Sequence, residues 1–284
     1  MGRIQSALSK ARREAKKAKA ETGNSGATAR TDKAQHFEAR GEPIEVAPRP
    51  ELLEQACAVT LDALTLNENR IRGIDSSEPG EAAYKMLRTR VLQRMRSNSW
   101  QKLAITSARA DAGKTLTAIN LAISLAYEPN QQVILVDLDL RNPKVGTYLG
   151  LEPNYSLADH IKQDVGIEKV LLKPTNIRRL YILPGADRLE HSSELLASHQ
   201  MATLTQTLAS ISPSTLVIFD MPPLLEADDM LTFMPQVDAL LFIVAQGETM
   251  RSDLKRSIEL FKDLNVLGTV LNKSGDKEAP SEYY

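Results

Sequence analysis

Three short apolar runs each end in a chemically distinct group. Lys102-Leu103-Ala104-Ile105-Thr106 leads into Ala108-Arg109-Ala110-Asp111-Ala112-Gly113-Lys114-Thr115. Gln132-Val133-Ile134-Leu135-Val136 leads into Asp137-Leu138-Asp139, and Thr215-Leu216-Val217-Ile218-Phe219 into Asp220. Runs this short, bounded by turn residues and separated by helical stretches, are the pattern of strands buried on both faces of a parallel sheet. Open sheets of this kind bind ligands outside the carboxyl ends of their strands. The loop and the three carboxylates are therefore expected to meet there. The fold class follows: α/β, a mostly parallel sheet with helices on both faces.

The chain divides into four segments. Residues 1–50 read as a basic N-terminal helix over 2–20 followed by a flexible, disordered linker. Arg3, Lys10, Arg12, Arg13, Lys16, Lys17, Lys19, Arg30 and Lys33 outweigh Glu14, Glu21 and Asp32 there, although the whole chain is near neutral. Such an arm suits an anionic surface or plain solvation. Residues 51–99 read as a helical lead-in, with an amphipathic stretch over 51–65 and a long helix over 81–96. Residues 100–274 form the alternating β/α domain, with helices expected over 114–127, 193–208 and 251–264 and further strands over 180–183, 239–245 and 267–271. Residues 275–284 are a polar tail ending in Tyr283 and Tyr284. Cys57 is the single cysteine, so no disulfide forms within one chain, and no run approaches the ~20 apolar residues of a membrane span. A cytoplasmic body is expected, with any membrane contact made through the arm or a partner.

Gly113-Lys114-Thr115, between a strand and a helix, has the chemistry of a phosphate loop. Backbone N–H groups wrap phosphate oxygens, helped by the helix N-terminus. Gly113 permits close approach, Lys114 neutralises phosphate oxygens, and Thr115 offers a hydroxyl to Mg²⁺. Ala108 stands where the pattern has its first glycine. Asp137, Asp139 and Asp220 are expected to organise the metal, since bare carboxylates at buried strand ends are costly. Capping of a following turn is the alternative for each. Asn272, after the last strand, reads an adenine edge or forms a turn. Asp229 is a supporting group.

The residues from Ala83-Tyr84-Lys85 through Gly113-Lys114-Thr115, Val136-Asp137-Leu138-Asp139-Leu140-Arg141-Asn142-Pro143, Asp220-Met221-Pro222-Pro223, Ser193-Glu194-Leu195-Leu196 and Gly268–Lys273 carry a further likeness. Together they resemble the bacterial tyrosine kinases of capsule and exopolysaccharide synthesis, which belong to the deviant-Walker P-loop ATPases. The resemblance implies Mg²⁺ and ATP as ligands and autophosphorylation of Tyr283 and Tyr284 in trans. It places Ala110, Asp111, Ala112, Gly113, Lys114, Thr115, Leu116 and Asn272 at the nucleotide. It gives Thr115, Asp139 and Asp220 to the metal, and Asp137, Lys114 and Asp139 to catalysis; a tyrosine hydroxyl is a poor nucleophile at neutral pH and needs a carboxylate to accept its proton, a role expected of Asp137. It also implies a homo-oligomer and a membrane-embedded polysaccharide copolymerase as activator, recruiting the chain to the inner face of the membrane. Nucleic acid is not an expected partner. The chain departs from the family pattern at Ala82, where a glutamate is usual, and at Gly146, where a histidine is common. Two rival readings are a partition-type ATPase switch, for which Arg109 would replace a second loop lysine, and a nucleotide-binding adaptor without catalysis.

Overall fold

The computed structural model describes residues 47–72, 79–185, 188–189, 191–262 and 264–275. Most of the basic arm and its helix, and the tail with Tyr283 and Tyr284, lie outside the described residues. An eight-stranded sheet organises the rest. Its strands are β1 (Cys57–Val59), β2 (Lys102–Ser107), β3 (Gln132–Asp137), β4 (Leu172–Pro174), β5 (Leu180–Leu183), β6 (Thr215–Asp220), β7 (Ala239–Ala245) and β8 (Val266–Asn272). They lie in the order β1-β4-β5-β3-β6-β2-β7-β8. Every pairing is parallel except β4 with β5.

Side chains alternate strictly across this sheet, because successive residues of a strand point to opposite faces. Ala104, Ile134, Val136, Val217 and Phe219 belong to one core, with Phe233 and Phe242. Leu103, Ile105, Val133, Leu135, Leu216 and Ile218 belong to the other. The central strands are thus apolar on both sides, as their unbroken runs require.

Helices cover both faces. On the second core lie α3 (Pro79–Ser97), through Val91, Leu92 and Met95, and α4 (Lys114–Ala126). Helix α4 is buried almost all round, which its Ala-, Ile- and Leu-rich sequence allows. Helices α8 (Ser192–Leu196), α9 (His199–Ser210) and α10 (Asp229–Phe233) supply Leu196, Leu208 and Phe233 to the first core. Helix α11 (Arg251–Leu260) joins β7 to β8.

Some elements differ from the sequence expectation. The stretch 51–65 is not one amphipathic helix: α1 (Leu52–Gln55) gives way to β1, and α2 (Ala63–Glu68) follows. The helical spacing of Leu52, Leu53, Ala56 and Val59 loses to pairing of Cys57–Val59 with Leu172–Pro174. The expected 193–208 helix is two, because Ser198 caps a new one by accepting from the Met201 N–H at 3.1 Å. Helix α11 ends at Leu260 rather than 264. Strand β3 ends at Asp137, so Asp139 stands on the loop beyond it.

Candidate active site

The site lies at the carboxyl ends of β2, β6 and β3, adjacent strands in the sheet. The register sets Asp137 of β3 opposite Asp220 of β6. The loop 108–113 leaves β2 and turns into α4. Two residues take positive φ there, Asp111 at 60° and Gly113 at 86°. Such alternation turns successive N–H groups toward one side, as an anion cradle needs.

The segment after β6 holds this loop from below. Leu224 N–H donates to Ser107 O at 2.8 Å and Leu225 N–H to Ala108 O at 3.1 Å. Ala110 N–H donates to Glu226 Oε1 at 3.0 Å. Asn272, at the end of β8, donates from Nδ2 to Ala112 O at 2.9 Å. Asn272 thus grips the loop backbone; the adenine-reading role proposed for it competes with that contact.

Lys114 gathers the acids. Its Nζ lies 2.5 Å from Asp139 Oδ2 and 4.0 Å from Asp220 Oδ1, and all three side chains are buried. Burial pulls the Lys114 pKa down, but the charges of Asp220 and Asp139 outweigh it and the net direction is up. Burial pushes the Asp220 carboxyl up, opposed by the charge of Lys114. Asp137 is pushed well up, first by burial and then by Asp220, although the Val145 N–H favours its ionised form. Asp137 also caps the next element. Its Oδ2 accepts from the N–H groups of Lys144 (3.0 Å) and Val145 (2.9 Å), at the start of α5 (Val145–Leu149). Its Oδ1 accepts from Asp139 N–H at 3.2 Å.

Both Asp220 oxygens are buried, and no hydrogen bond of normal geometry reaches either among the described residues, although the Lys114 charge and the Thr115 hydroxyl both act to lower its pKa. A buried carboxylate flanked by an ammonium at 4.0 Å and a hydroxyl, with no close hydrogen bond of its own, is a place that a cation fits. The donors available, Asp220, Asp139 and Thr115, are all hard oxygens, which suits Mg²⁺. Among the described residues no group of three or more His, Cys, Asp and Glu could hold a metal alone. Mg²⁺ takes one or two carboxylates and completes its shell with water and phosphate oxygens.

Two basic residues nearby are committed elsewhere. Arg109 makes a two-point pair with Asp253 of α11, at 2.6 and 3.2 Å. Arg141, after β3, contacts Asp228 at 3.1 Å and the buried Asp229 at 3.0 Å, and Asp229 also accepts from Ser192 Oγ at 2.5 Å. Sequence reasoning did not single out Glu226 or give Arg141 a partner. Arg141 stood next to the acidic run, but its partners are far along the chain. A cavity of about 180 Å³ between α3 and α4, lined by Tyr84, Arg88, Asn120 and Ser124, flanks the later turns of α4 rather than its N-terminus.

A strand–loop–helix opened by Gly-Lys-Thr, set between parallel strands that end in aspartate, defines a P-loop nucleotide-binding domain. The AAA domain family matches residues 100–255, and the chain belongs to it. The tyrosine-protein kinase YwqD of Bacillus subtilis (strain 168) is 28% identical over 204 residues, covering 71% of this chain and 84% of that protein. The kinase domain of the Escherichia coli tyrosine kinase ETK superposes with a TM-score of 0.66 at 22% identity, covering 84% of this chain and 99% of that one, a likeness of fold. The septum site-determining protein MinD of Pyrococcus horikoshii OT3, complexed with Mg-ADP, gives 0.51 at 25% identity, over 62% and 72% of the two chains. The likeness to the bacterial tyrosine kinases read from the sequence is borne out by the match to YwqD and the shared fold of the ETK kinase domain.

Proposed function

We propose that this protein is an ATP-dependent protein tyrosine kinase of capsule or exopolysaccharide synthesis that phosphorylates Tyr283 and Tyr284 of a neighbouring copy. The observation that carries the reading is the convergence of Lys114 on Asp139 and Asp220, with both Asp220 oxygens buried at the carboxyl end of β6 and reached by no hydrogen bond of normal geometry among the described residues. Kinship with named tyrosine-protein kinases supports the acceptor.

Phosphoryl transfer asks a protein mainly for alignment and charge neutralisation. The loop amides from Ala110 to Leu116 cradle the phosphates. Lys114 leaves Asp139 and turns to the β- and γ-phosphate oxygens. Thr115, Asp139 and Asp220 would hold Mg²⁺, which when bound would draw charge off the phosphate oxygens. Asp137 accepts the tyrosine proton through Oδ1, which carries only the 3.2 Å contact from Asp139 N–H. Burial beside Asp220 raises its proton affinity toward that of a useful base. Its Oδ2 meanwhile anchors the loop at Lys144 and Val145. In this reading Asn272, which holds the loop at Ala112 O, would also meet the adenine edge.

No helix among the described residues is long and apolar enough to cross a membrane. The proposed activator is a membrane-embedded copolymerase, which brings a homo-oligomer of this chain to the inner face, aided by the basic arm. The partition-type reading needs a free second loop cation; the locking of Arg109 onto Asp253 disfavours it.

The test is incubation of the full chain with Mg·ATP, with and without the cytosolic segment of a copolymerase, followed by phosphotyrosine mapping. Phosphate on Tyr283 or Tyr284 supports the kinase. ATP turnover with no phosphotyrosine in either condition favours the switch, and no nucleotide binding by calorimetry favours the adaptor.

A further inference from the structure

One more cation stands at this edge, outside the phosphate loop. Lys144 precedes α5 at the end of the loop leaving β3. Its N–H is pinned to Asp137 Oδ2 at 3.0 Å, and Asp137 lies opposite Asp220 in the sheet. The side chain is half-buried. Its ammonium makes no ion pair or hydrogen bond with any of the described residues, whereas Lys114, Arg109 and Arg141 all have carboxylate partners. Its charge is nonetheless felt at Asp220, where it opposes the effect of burial.

The charge balance leaves a place for it. Mg·ATP carries a surplus of negative charge that one lysine does not cancel, and preorganised cations at the transferring group are a main source of rate. The loop's own second basic residue, Arg109, points to α11 instead.

We infer that Lys144 is a second phosphate-contacting cation, which binds the γ-phosphoryl oxygens and neutralises them during transfer. The inference rests on the ATP site described above. In the step, the tyrosine oxygen bonds to the γ-phosphorus and the bond from phosphorus to the β,γ-bridging oxygen breaks. ADP leaves with that electron pair, the tyrosine proton passes to Asp137, and Lys144 keeps its own proton throughout.

The experiment compares full-length wild type, Lys144→Met and Lys144→Arg by calorimetry with Mg·ADP and with a non-hydrolysable Mg·ATP analogue, alongside phosphotyrosine rates. Lys144→Met is expected to keep ADP affinity within about 2-fold, to weaken the ATP analogue by about 10-fold, and to slow transfer by about 100-fold. Lys144→Arg should restore most of both, since a packing role would not follow charge. An analogue-to-ADP affinity ratio equal to that of wild type in Lys144→Met overturns the inference, whatever the kinase rate. Conversely, loss of the ratio in a protein that never forms phosphotyrosine upholds Lys144 and removes the kinase reading.

Discussion

The Asn272 side-chain amide occupies the space in which any residue but glycine at position 113 would carry its β-carbon. Gly113 also has φ 86°, a conformation that L side chains adopt at a cost of about 1 kcal/mol or more. Gly113→Ala therefore combines backbone strain with a collision against the very residue that holds the loop at Ala112 O. It should weaken Mg·ADP binding by about 10-fold or more, at about 1.4 kcal/mol per tenfold. Adding Asn272→Ala should remove the collision but not the strain, so calorimetry on the double variant should show partial recovery.

Asp220 makes the ligand-free protein's stability depend on pH with a definite sign. Its folded pKa is raised by burial, so the folded state binds more protons than the unfolded state above the ordinary carboxylate range. Stability then falls as pH rises from near the unfolded pKa through the folded one. Asp220→Asn should flatten that slope. Thermal melts from acid to neutral pH check the slope. Mg·ADP should raise the melting temperature of wild type and raise that of Asp220→Asn far less.

Arg141 carries a structural load. It is the basic partner of Asp229, which is fully buried, and it ties the loop after β3 to α8 and α10 through Ser192 and Asp229. Arg141→Met should cost about 3 kcal/mol, because it leaves a buried carboxylate uncompensated. Urea denaturation measures this, and Asp229→Asn in the same chain should return part of the loss.

Arg109 and Asp253 offer a contrast. Arg109 is largely exposed, so a double-mutant cycle of Arg109→Ala and Asp253→Ala should give a coupling of about 1 kcal/mol or less. Phosphotyrosine formation should fall little in Arg109→Ala. A collapse of ATP turnover in that variant would instead assign Arg109 the role of a loop cation.

The strands that carry the site were legible because they are buried on both faces, and such runs leave little freedom: Thr215–Asp220 is buried at every position. The phosphate loop was legible from Gly113-Lys114-Thr115, whose placement follows from the strand before and the helix after. Strand β1 was not, since two exposed residues and one half-buried one at a sheet edge carry no period of their own and owe their form to β4. Asp137's hold on α5 was likewise invisible, because a carboxylate that caps a backbone and one that accepts a proton look the same in one dimension. The partners of Arg109 and Arg141 lie far along the chain and appear only when β2, β3, β6 and β7 bring their loops to one edge.

The most direct measurement mixes two full-length variants with Mg·ATP and the activating segment. Lys114→Met keeps the tyrosines but loses the ammonium at Asp139 and Asp220; Tyr283→Phe/Tyr284→Phe keeps the site but has no acceptor in the tail. The account predicts phosphate on Tyr283 or Tyr284 of the Lys114→Met chain in the mixture, none in that chain alone, and a loss of about 100-fold or more when Asp137→Asn is added to the donor. Equal labelling of Lys114→Met with no donor present would contradict it.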